Sequence, residues 1–179
     1  MQFGELCPVV QVLFDVAVYT DFVQDLATPA TFYKVPTNIE NYLKISKFLP
    51  KLNNERLEDR NSTYKERFSS LNKLVLLMNE NETILIPKES ALFGYYKDGS
   101  TDEVLPAQET ELYKEDWIGL RSLDERGKVV YETVPGVHAD SPDETLNKFV
   151  VPYLVDDAAA WALKSAIRTK LKQLHSNKA

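Results

Sequence analysis

The sequence predicts an α/β fold in which parallel strands are flanked by helices. Residues 74–78 form a continuous apolar run that ends in polar residues, which is typical of a strand buried on both faces of a parallel sheet. Residues 128–134 form a second β-type run directly after a turn at Gly127. Apolar residues at helical spacing lie before the first run and after the second, and they predict the flanking helices.

The segment before the first strand is predicted to be helical. Apolar residues recur with a 3.6-residue period over residues 9–26, which predicts one continuous helix. Residues 39–48 read as a shorter helix whose N-cap is Thr37 or Asn38. Residues 55–72 are charged and compatible with a helix. We therefore assign residues 1–72 to a helical segment and residues 73–155 to the sheet-bearing core.

Two further helices are predicted after the second strand. Ser141 as N-cap, Pro142 at the first helical position and Glu144 at the third form a capping-box start for a helix at 141–154. Residues 158–174 have a narrow apolar stripe and a basic face, and we assign 156–179 to an amphipathic helix and tail. Such a helix could rest on a membrane surface, but docking on its own domain or self-association is the favoured interpretation.

Composition and charge exclude several classes of function. The 179 residues are 44% hydrophobic and 27% charged, as in ordinary globular proteins. A net charge of −6 argues against a nucleic-acid partner, because such binders need a basic surface to displace counterions from phosphates. The sequence contains no run of about 18 apolar residues that would predict a transmembrane helix. The apolar stretch 8–18 lacks the basic start and cleavage site of a signal peptide, so the sequence as it stands predicts a cytosolic chain.

An acid and a histidine follow the two predicted strands. Glu82 comes after the first run and His138 after the second, in a predicted turn after Gly136 and just past the end of the strand. This is the chain order of the last two members of a Ser-acid-His triad in α/β-hydrolases. The six glycines do not frame a Gly-x-Ser-x-Gly sequence, which would carry the nucleophile. The sequence therefore predicts the C-terminal portion of an α/β-hydrolase fold, with the nucleophilic serine absent from the chain.

Longer motifs between and before these residues carry a resemblance to a known family. The motifs are Phe-Gly-Tyr-Tyr-Lys-Asp-Gly-Ser at 93–100, Val-Leu-Pro-Ala-Gln-Glu-Thr at 104–110, Leu-Tyr-Lys-Glu-Asp-Trp-Ile-Gly-Leu at 112–120 and Phe-Leu-Pro-Lys-Leu-Asn-Asn-Glu at 48–55. Together they closely resemble palmitoyl-protein thioesterases of the plant type, over roughly residues 7–155. The resemblance implies hydrolysis of long-chain fatty acyl thioesters on protein cysteines, without a cofactor or a metal. It also implies that the helical segment is a lid that helps to form the acyl-chain groove.

The resemblance assigns roles to Glu82 and His138. It implies that His138 is the catalytic base and Glu82 the acid, although the family has aspartate at the acid position. The extra methylene shifts the carboxylate by about 1 Å, and such a misplacement can cost ~100-fold in rate. The alternatives are that His138 is an ordinary surface histidine and Glu82 a solvated loop carboxylate. If the triad interpretation is right, we expect a Glu82 oxygen within about 4 Å of a His138 ring nitrogen.

The resemblance also bears on activity, location and modification. Without its serine, this polypeptide is expected to be inactive by itself, and the alternative is a non-catalytic binding or regulatory fragment or an incomplete gene model. The family is lysosomal or vacuolar and carries glycosylation sequons where this chain has Asn61 and Asn81. Cys7, the single cysteine, is either the remnant of a family disulfide or a small buried residue.

Overall fold

A computed structural model of the chain describes residues 15, 17–154, 162–163, 166–167 and 170. The chain divides into two units, Met1–His138 and Ala139–Ala179. Cys7 and most of the predicted helix at 158–174 lie outside the described residues.

The first unit contains the predicted pair of parallel strands. Strand β1 is Leu74–Asn81 and strand β4 is Val129–Val137, and both are longer than the apolar runs that predicted them. They pair in parallel from Leu74 opposite Val129 to Asn79 opposite Val134. Two short strands between them, β2 (Tyr95–Tyr96) and β3 (Val104–Leu105), form an antiparallel pair. The α/β class with parallel strands and flanking helices is confirmed.

Strand β1 is less buried than its sequence predicted. Met78 is its one buried side chain, and the remaining apolar side chains of the strand are half-buried. In the described part of the chain, β1 has a hydrogen-bonded neighbour on one edge, which is β4. The prediction of burial on both faces is therefore wrong for the described residues, because full burial of a parallel strand needs layers packed on both sides.

The helical segment is divided more finely than its periodicity predicted. It consists of helices α1 (Asp21–Leu26), α2 (Ile39–Ile45), α3 (Leu49–Leu52) and α4 (Ser62–Ser69), with 3-10 turns at Thr28–Phe32 and Leu57–Asp59. The predicted continuous helix at 9–26 is wrong, since a turn at 18–20 interrupts it. The Thr20 side chain accepts a hydrogen bond from the Val23 N–H at 3.4 Å and so caps a new helix.

Tertiary contacts explain that interruption. Val18 and Tyr19 are buried in a core cluster with Tyr33, Val35 and Tyr42. The Tyr19 hydroxyl accepts a hydrogen bond from the Val35 N–H at 2.7 Å and donates to the Tyr33 carbonyl at 3.2 Å. A straight helix through residues 18–20 would move the Tyr19 hydroxyl away from Val35 and Tyr33 and break both hydrogen bonds. The turn is therefore the more stable arrangement.

Helix α2 ends three residues before its predicted end at residue 48. Ser46 adopts an extended conformation with ψ of 125° and is fully buried, which stops the helix after Ile45. Asn38 occupies the N-cap position, as one of the two predictions had it, but its side chain makes no capping hydrogen bond to the helix. Its Oδ1 instead accepts a hydrogen bond from the Asn41 side-chain amide at 2.9 Å.

The connection between β1 and β4 packs on helix α4. It contains 3-10 turns at Lys88–Leu92 and Ala107–Glu109, then helices α5 (Glu111–Lys114) and α6 (Leu120–Asp124). Leu120 and Leu123 of α6 are fully buried. Gly119 has a φ of +87°, and a Cβ placed there would lie 2.7 Å from the Ser69 Cβ. Glycine is therefore what allows α6 to approach α4 closely.

The second unit contains helix α7 (Asp143–Phe149) and a 3-10 turn at Val151–Tyr153. The predicted capping box is wrong: Pro142 occupies the N-cap position with an extended ψ of 148°, and no side chain caps the helix. Asp143 and Glu144 in the first turn favour this start through the helix dipole. Of the helices that the structure describes, none combines the length and the apolar character that crossing a membrane requires.

Candidate functional site

The predicted acid and the predicted histidine meet at one edge of the sheet. Glu82 directly follows β1 and His138 directly follows β4. Because the two strands are parallel neighbours, their carboxyl ends lie side by side. The Glu82 Oε2 lies 2.7 Å from the His138 Nδ1, although the two residues are 56 positions apart in the chain. The expectation of a contact within about 4 Å is confirmed.

His138 lies in a turn just past the end of a strand, as the sequence predicted. Strand β4 extends beyond the predicted run at 128–134 and continues through Gly136 to Val137. The register shifts between Asn79 and Asn81, and pairing then resumes with Asn81 opposite Val137. Gly136 has a φ of +135°, which a side chain would disfavour at this irregularity. The last strand pair therefore lies immediately before both Glu82 and His138.

A tight turn after β1 orients the Glu82 carboxylate. Its Oε1 accepts hydrogen bonds from the backbone N–H groups of Ile84 at 2.6 Å and Leu85 at 3.0 Å. Its Oε2 is thereby left for His138. The extra methylene of glutamate lets the side chain fold back over its own turn. Sequence reasoning missed Ile84 and Leu85, because backbone donors leave no signature in residue type.

The environment of Glu82 favours its ionised form. Its side chain is 5% exposed, so it is not a solvated loop carboxylate. Burial by itself would raise the pKa of the Glu82 carboxyl, but the hydrogen bonds from Ile84, Leu85 and His138 outweigh burial and lower that pKa below its ordinary value.

The ionised carboxylate also selects the tautomer of the histidine. A carboxylate only accepts hydrogen bonds, so His138 donates its Nδ1–H to the Glu82 Oε2. In the neutral imidazole, Nε2 then carries the free lone pair. The side chain of His138 is 41% exposed, so the ring remains accessible to a reacting group. This arrangement can accept a proton at Nε2 while Glu82 holds the ring.

An apolar groove begins at the turn that holds the acid. The groove has a volume of about 1080 Å³ and includes Leu85 and Ile86 in its wall. Leu85 thus contacts the acid through its N–H and also lines the groove. The helical segment supplies further apolar wall residues, which include Phe32, Tyr33, Leu43 and Leu49. The groove, which reaches the turn of Glu82 at Leu85, can accommodate a long apolar substituent.

A polar cluster that sequence reasoning missed lies in the groove wall. The buried carboxylate of Glu55 pairs with the Lys34 Nζ at 2.9 Å and accepts a hydrogen bond from the Tyr42 hydroxyl at 2.7 Å. Lys34 also lies over the rings of Tyr42 and Tyr95. Burial, and then the Glu55 charge, strongly raise the pKa of Tyr42, so its hydroxyl stays protonated as a donor. No sequence motif connects these four residues, since folding alone brings them together.

Both sequon asparagines are exposed. Asn61 is the N-cap of α4, and its Oδ1 accepts hydrogen bonds from the backbone N–H groups of Thr63 at 2.9 Å and Tyr64 at 3.3 Å. Asn81 is the last residue of β1. Surface exposure is what glycosylation requires, and modification at either position stays a prediction.

The described residues contain no group of three or more His, Cys, Asp and Glu side chains that could hold a metal ion. The full sequence contains no Gly-x-Ser-x-Gly segment, so the site has a candidate base and a candidate acid without that nucleophile motif.

Comparison with known proteins shows which family the chain resembles in sequence. Residues 3–138 match the family described as Palmitoyl protein thioesterase. The chain is 40% identical to palmitoyl-protein thioesterase 1 of Caenorhabditis elegans over 151 residues, which are 84% of this chain and 50% of that protein. It is 41% identical to palmitoyl-protein thioesterase 3 of Dictyostelium discoideum over 76% of this chain and 48% of that protein. A lysosomal thioesterase of Xenopus laevis is 36% identical over 70% of this chain and 43% of its own length. The chain spans about half the length of these relatives.

Proposed function

Because the chain belongs to the palmitoyl protein thioesterase family, we propose that it supplies the acid and the base for hydrolysis of long-chain acyl thioesters on protein cysteines. His138 is the general base and Glu82 the acid of a Ser-His-Glu triad. The observation that carries this proposal is the 2.7 Å contact between Glu82 Oε2 and His138 Nδ1. The serine is supplied by a segment outside these 179 residues.

The geometry of the pair supports the following course of the reaction. The serine hydroxyl attacks the thioester carbonyl while the Nε2 of His138 takes its proton. The C–S bond then breaks, and the departing cysteine sulfur receives that proton from His138. A water molecule, deprotonated by the same nitrogen, then attacks the carbonyl of the acyl-serine ester. The C–O bond to serine breaks, the serine oxygen receives that proton from His138, and the fatty acid is released. Glu82 keeps the ring oriented and stabilises the imidazolium at each step.

The groove next to the pair supports a long acyl chain as the substrate group. Its volume of about 1080 Å³ is at the upper end of the range for ligand pockets. Apolar side chains from the acid turn and from the helical segment line it, as acyl binding by a lid requires. An apolar chain buried there would be stabilised by the removal of its surface from water.

Location and modification follow from the same family membership. Two of the related proteins, from Xenopus laevis and Drosophila melanogaster, are named lysosomal thioesterases. We extend this location, a lysosome or a vacuole, to the protein that carries this chain, with glycans on Asn61 and Asn81. The exposure of both asparagines supports the modification.

Hydrolysis of a palmitoyl thioester tests the proposal. Residues 1–179 alone are expected to show no turnover above the uncatalysed rate, because loss of a triad nucleophile costs several orders of magnitude. A longer polypeptide that carries these residues behind a Gly-x-Ser-x-Gly segment is expected to turn over, and His138→Ala is expected to abolish its activity. If residues 1–179 alone hydrolyse the thioester and His138→Ala abolishes that activity, the inference that the nucleophile lies outside these residues is wrong. If the longer polypeptide is unaffected by His138→Ala, the assignment of the base is wrong.

A further inference from the structure

Helix α1 exposes two large apolar side chains on its outer face. Phe22 and Leu26 are one helical turn apart, and their exposed fractions are 74% and 73%. Gln24 lies on the opposite face and is buried, with its side-chain amide donating to the carbonyls of Val18 at 2.7 Å and Ala30 at 3.1 Å. These bonds fix the rotation of the helix, so Phe22 and Leu26 point away from the core.

More exposed apolar side chains lie next to this helix. Phe32 and Phe48 are both exposed, and their rings contact edge to face with centroids 5.0 Å apart. Lys47, directly before Phe48, contacts α1 through ion pairs of its Nζ with Asp25 at 2.7 Å and Asp21 at 3.3 Å. The lid patch is the set of exposed apolar side chains in this region, namely Phe22, Leu26, Phe32, Phe48 and Leu52.

A basic cleft adjoins the lid patch. It has a volume of about 650 Å³, and Lys44, Lys47, Lys51 and Arg56 line it together with Asp21.

Two of these cations are available to a partner. Lys47 pairs with two aspartates, whose negative charges exceed its own positive charge by one, and Arg56 donates to the carbonyl of Ser46 and pairs with Asp59. Within the part of the chain that the structure describes, Lys44 and Lys51 have no ion pair. The cleft is therefore locally positive, although the whole chain has a net charge of −6.

We infer that the lid patch and the basic cleft form a docking surface for a membrane that contains anionic phospholipids. Exposed aromatic and aliphatic side chains enter the boundary between head groups and acyl chains, and adjacent lysines bind the anionic head groups. A second copy of this chain fits the surface less well. A symmetric contact would place the same basic cleft against itself, which like charges disfavour.

The surface is continuous with the groove proposed for the acyl chain. Phe32 belongs to the lid patch and also lines the 1080 Å³ groove. If the proposed function holds, docking would bring the opening of the groove to the membrane in which the acyl chain of a substrate protein is inserted. The docking itself requires no catalysis, so it can be tested whether or not the chain takes part in hydrolysis.

Vesicle co-sedimentation of residues 1–179 tests this inference. We expect stronger binding to phosphatidylcholine vesicles that contain phosphatidylserine than to pure phosphatidylcholine vesicles, and weaker binding at high salt. The double variant Phe22→Ser/Lys51→Glu is expected to lose roughly tenfold or more in vesicle affinity. Phe22→Ser/Leu26→Ser, which leaves the charge unchanged, is expected to lose a similar factor. The altered side chains are exposed, and circular dichroism would check that the fold is retained.

The matched control is Tyr64→Ser/Arg67→Glu on helix α4. It removes an exposed aromatic ring and reverses one cation, as the first variant does, but away from the patch. The control is expected to bind vesicles like the unaltered chain. Equal losses in the control and the patch variants, or equal binding to neutral and anionic vesicles, would overturn the inference. A patch variant that binds vesicles normally but changes from dimer to monomer would also overturn it, and would assign the patch to self-association.

Discussion

At Glu82, one methylene decides which groups the carboxylate can reach. Its Oε1 accepts from the N–H groups of Ile84 and Leu85, while its Oε2 contacts His138. A shorter aspartate on the same backbone could not reach both sets of partners. Glutamate, in place of the aspartate that the resemblance implies here, is therefore matched to this turn.

Substitution by the family's own residue tests that match. In a longer polypeptide with a nucleophile, Glu82→Asp is expected to lower kcat about 100-fold, because a shift of ~1 Å in a positioning group has that effect. KM for a palmitoyl thioester should change little, since the groove is unaltered. Glu80→Asp, the same change at an exposed position in β1, is the control. Full activity of Glu82→Asp would mean that the shorter aspartate can hold His138 equally well on this turn.

The lowered pKa of Glu82 makes stability dependent on pH. A carboxyl whose pKa is lower in the folded state than in the unfolded state stabilises the fold above its unfolded pKa, near 4.5 for glutamate. This stabilisation is lost as the pH falls from that value through the lower folded pKa. As the pH falls through this range, urea unfolding should show that the free energy of unfolding decreases in the unaltered chain. The decrease should be smaller in Glu82→Gln. An identical dependence of the unfolding free energy on pH in the two proteins would show that the lowered pKa of Glu82 is not its cause.

At the scale of elements, the approach of α6 to α4 depends on a residue without a side chain. Gly119 combines a φ of +87° with a site where a Cβ would lie 2.7 Å from the Ser69 Cβ. Gly127 has a similar φ of +67°, but a Cβ there would meet nothing within 4 Å. A substitution at Gly127 therefore measures backbone strain alone, whereas a substitution at Gly119 measures backbone strain and a steric clash together.

Alanine at these glycines is expected to give unequal losses of stability. Gly127→Ala introduces only the strain of the left-handed conformation, which lowers the free energy of unfolding by about 1–2 kcal/mol. Gly119→Ala pays this cost and also the clash with Ser69, so its loss should be larger by about 1–3 kcal/mol. Chemical denaturation of both variants measures the difference. Equal losses would show that α4 and α6 can separate without cost.

At the scale of the whole first unit, Asn54 joins the helical segment to the connection between the strands. Its side-chain amide donates to the Asn61 carbonyl at 3.1 Å and to the Trp117 carbonyl at 3.0 Å, and its Oδ1 accepts from the Asn61 N–H at 2.9 Å. Asn54 is buried and has a φ of +54°, a conformation that asparagine tolerates better than most residues. Two parts of the chain that are 63 positions apart thus meet at one side chain.

Removal of this side chain should weaken the whole unit. Asn54→Ala removes the acceptor of the Asn61 N–H and the side-chain donor to the Trp117 carbonyl, and we expect a loss of about 1–3 kcal/mol in the free energy of unfolding. Asn41→Ala is the control, because the Asn41 side chain is exposed and bonds only to Asn38. Thermal or urea unfolding compares the two variants. A loss no larger than that of Asn41→Ala would show that the Asn54 bonds do not hold the unit together.

Local patterns predicted the core of the fold but not its boundaries. The apolar runs at 74–78 and 128–134 predicted both paired strands, because strand propensity is a property of short windows. The periodicity of 9–26 predicted one helix where burial of Val18 and Tyr19 produces a turn. The capping motif at Ser141 was overridden by the extended conformation of Pro142. In each failure, a conformation set by the surrounding structure outweighed a local preference.

The sequence by itself determined the α/β class, the two strands and the order in which Glu82 and His138 follow them, because each depends on residue type and order along the chain. Only the tertiary structure decided that Glu82 and His138 lie 2.7 Å apart, that backbone N–H groups hold the acid, and that Lys34 and Glu55 pair in the groove wall. The physical reason is that these contacts join residues as many as 56 positions apart. Their geometry depends on strand register and packing, which no local window of sequence contains.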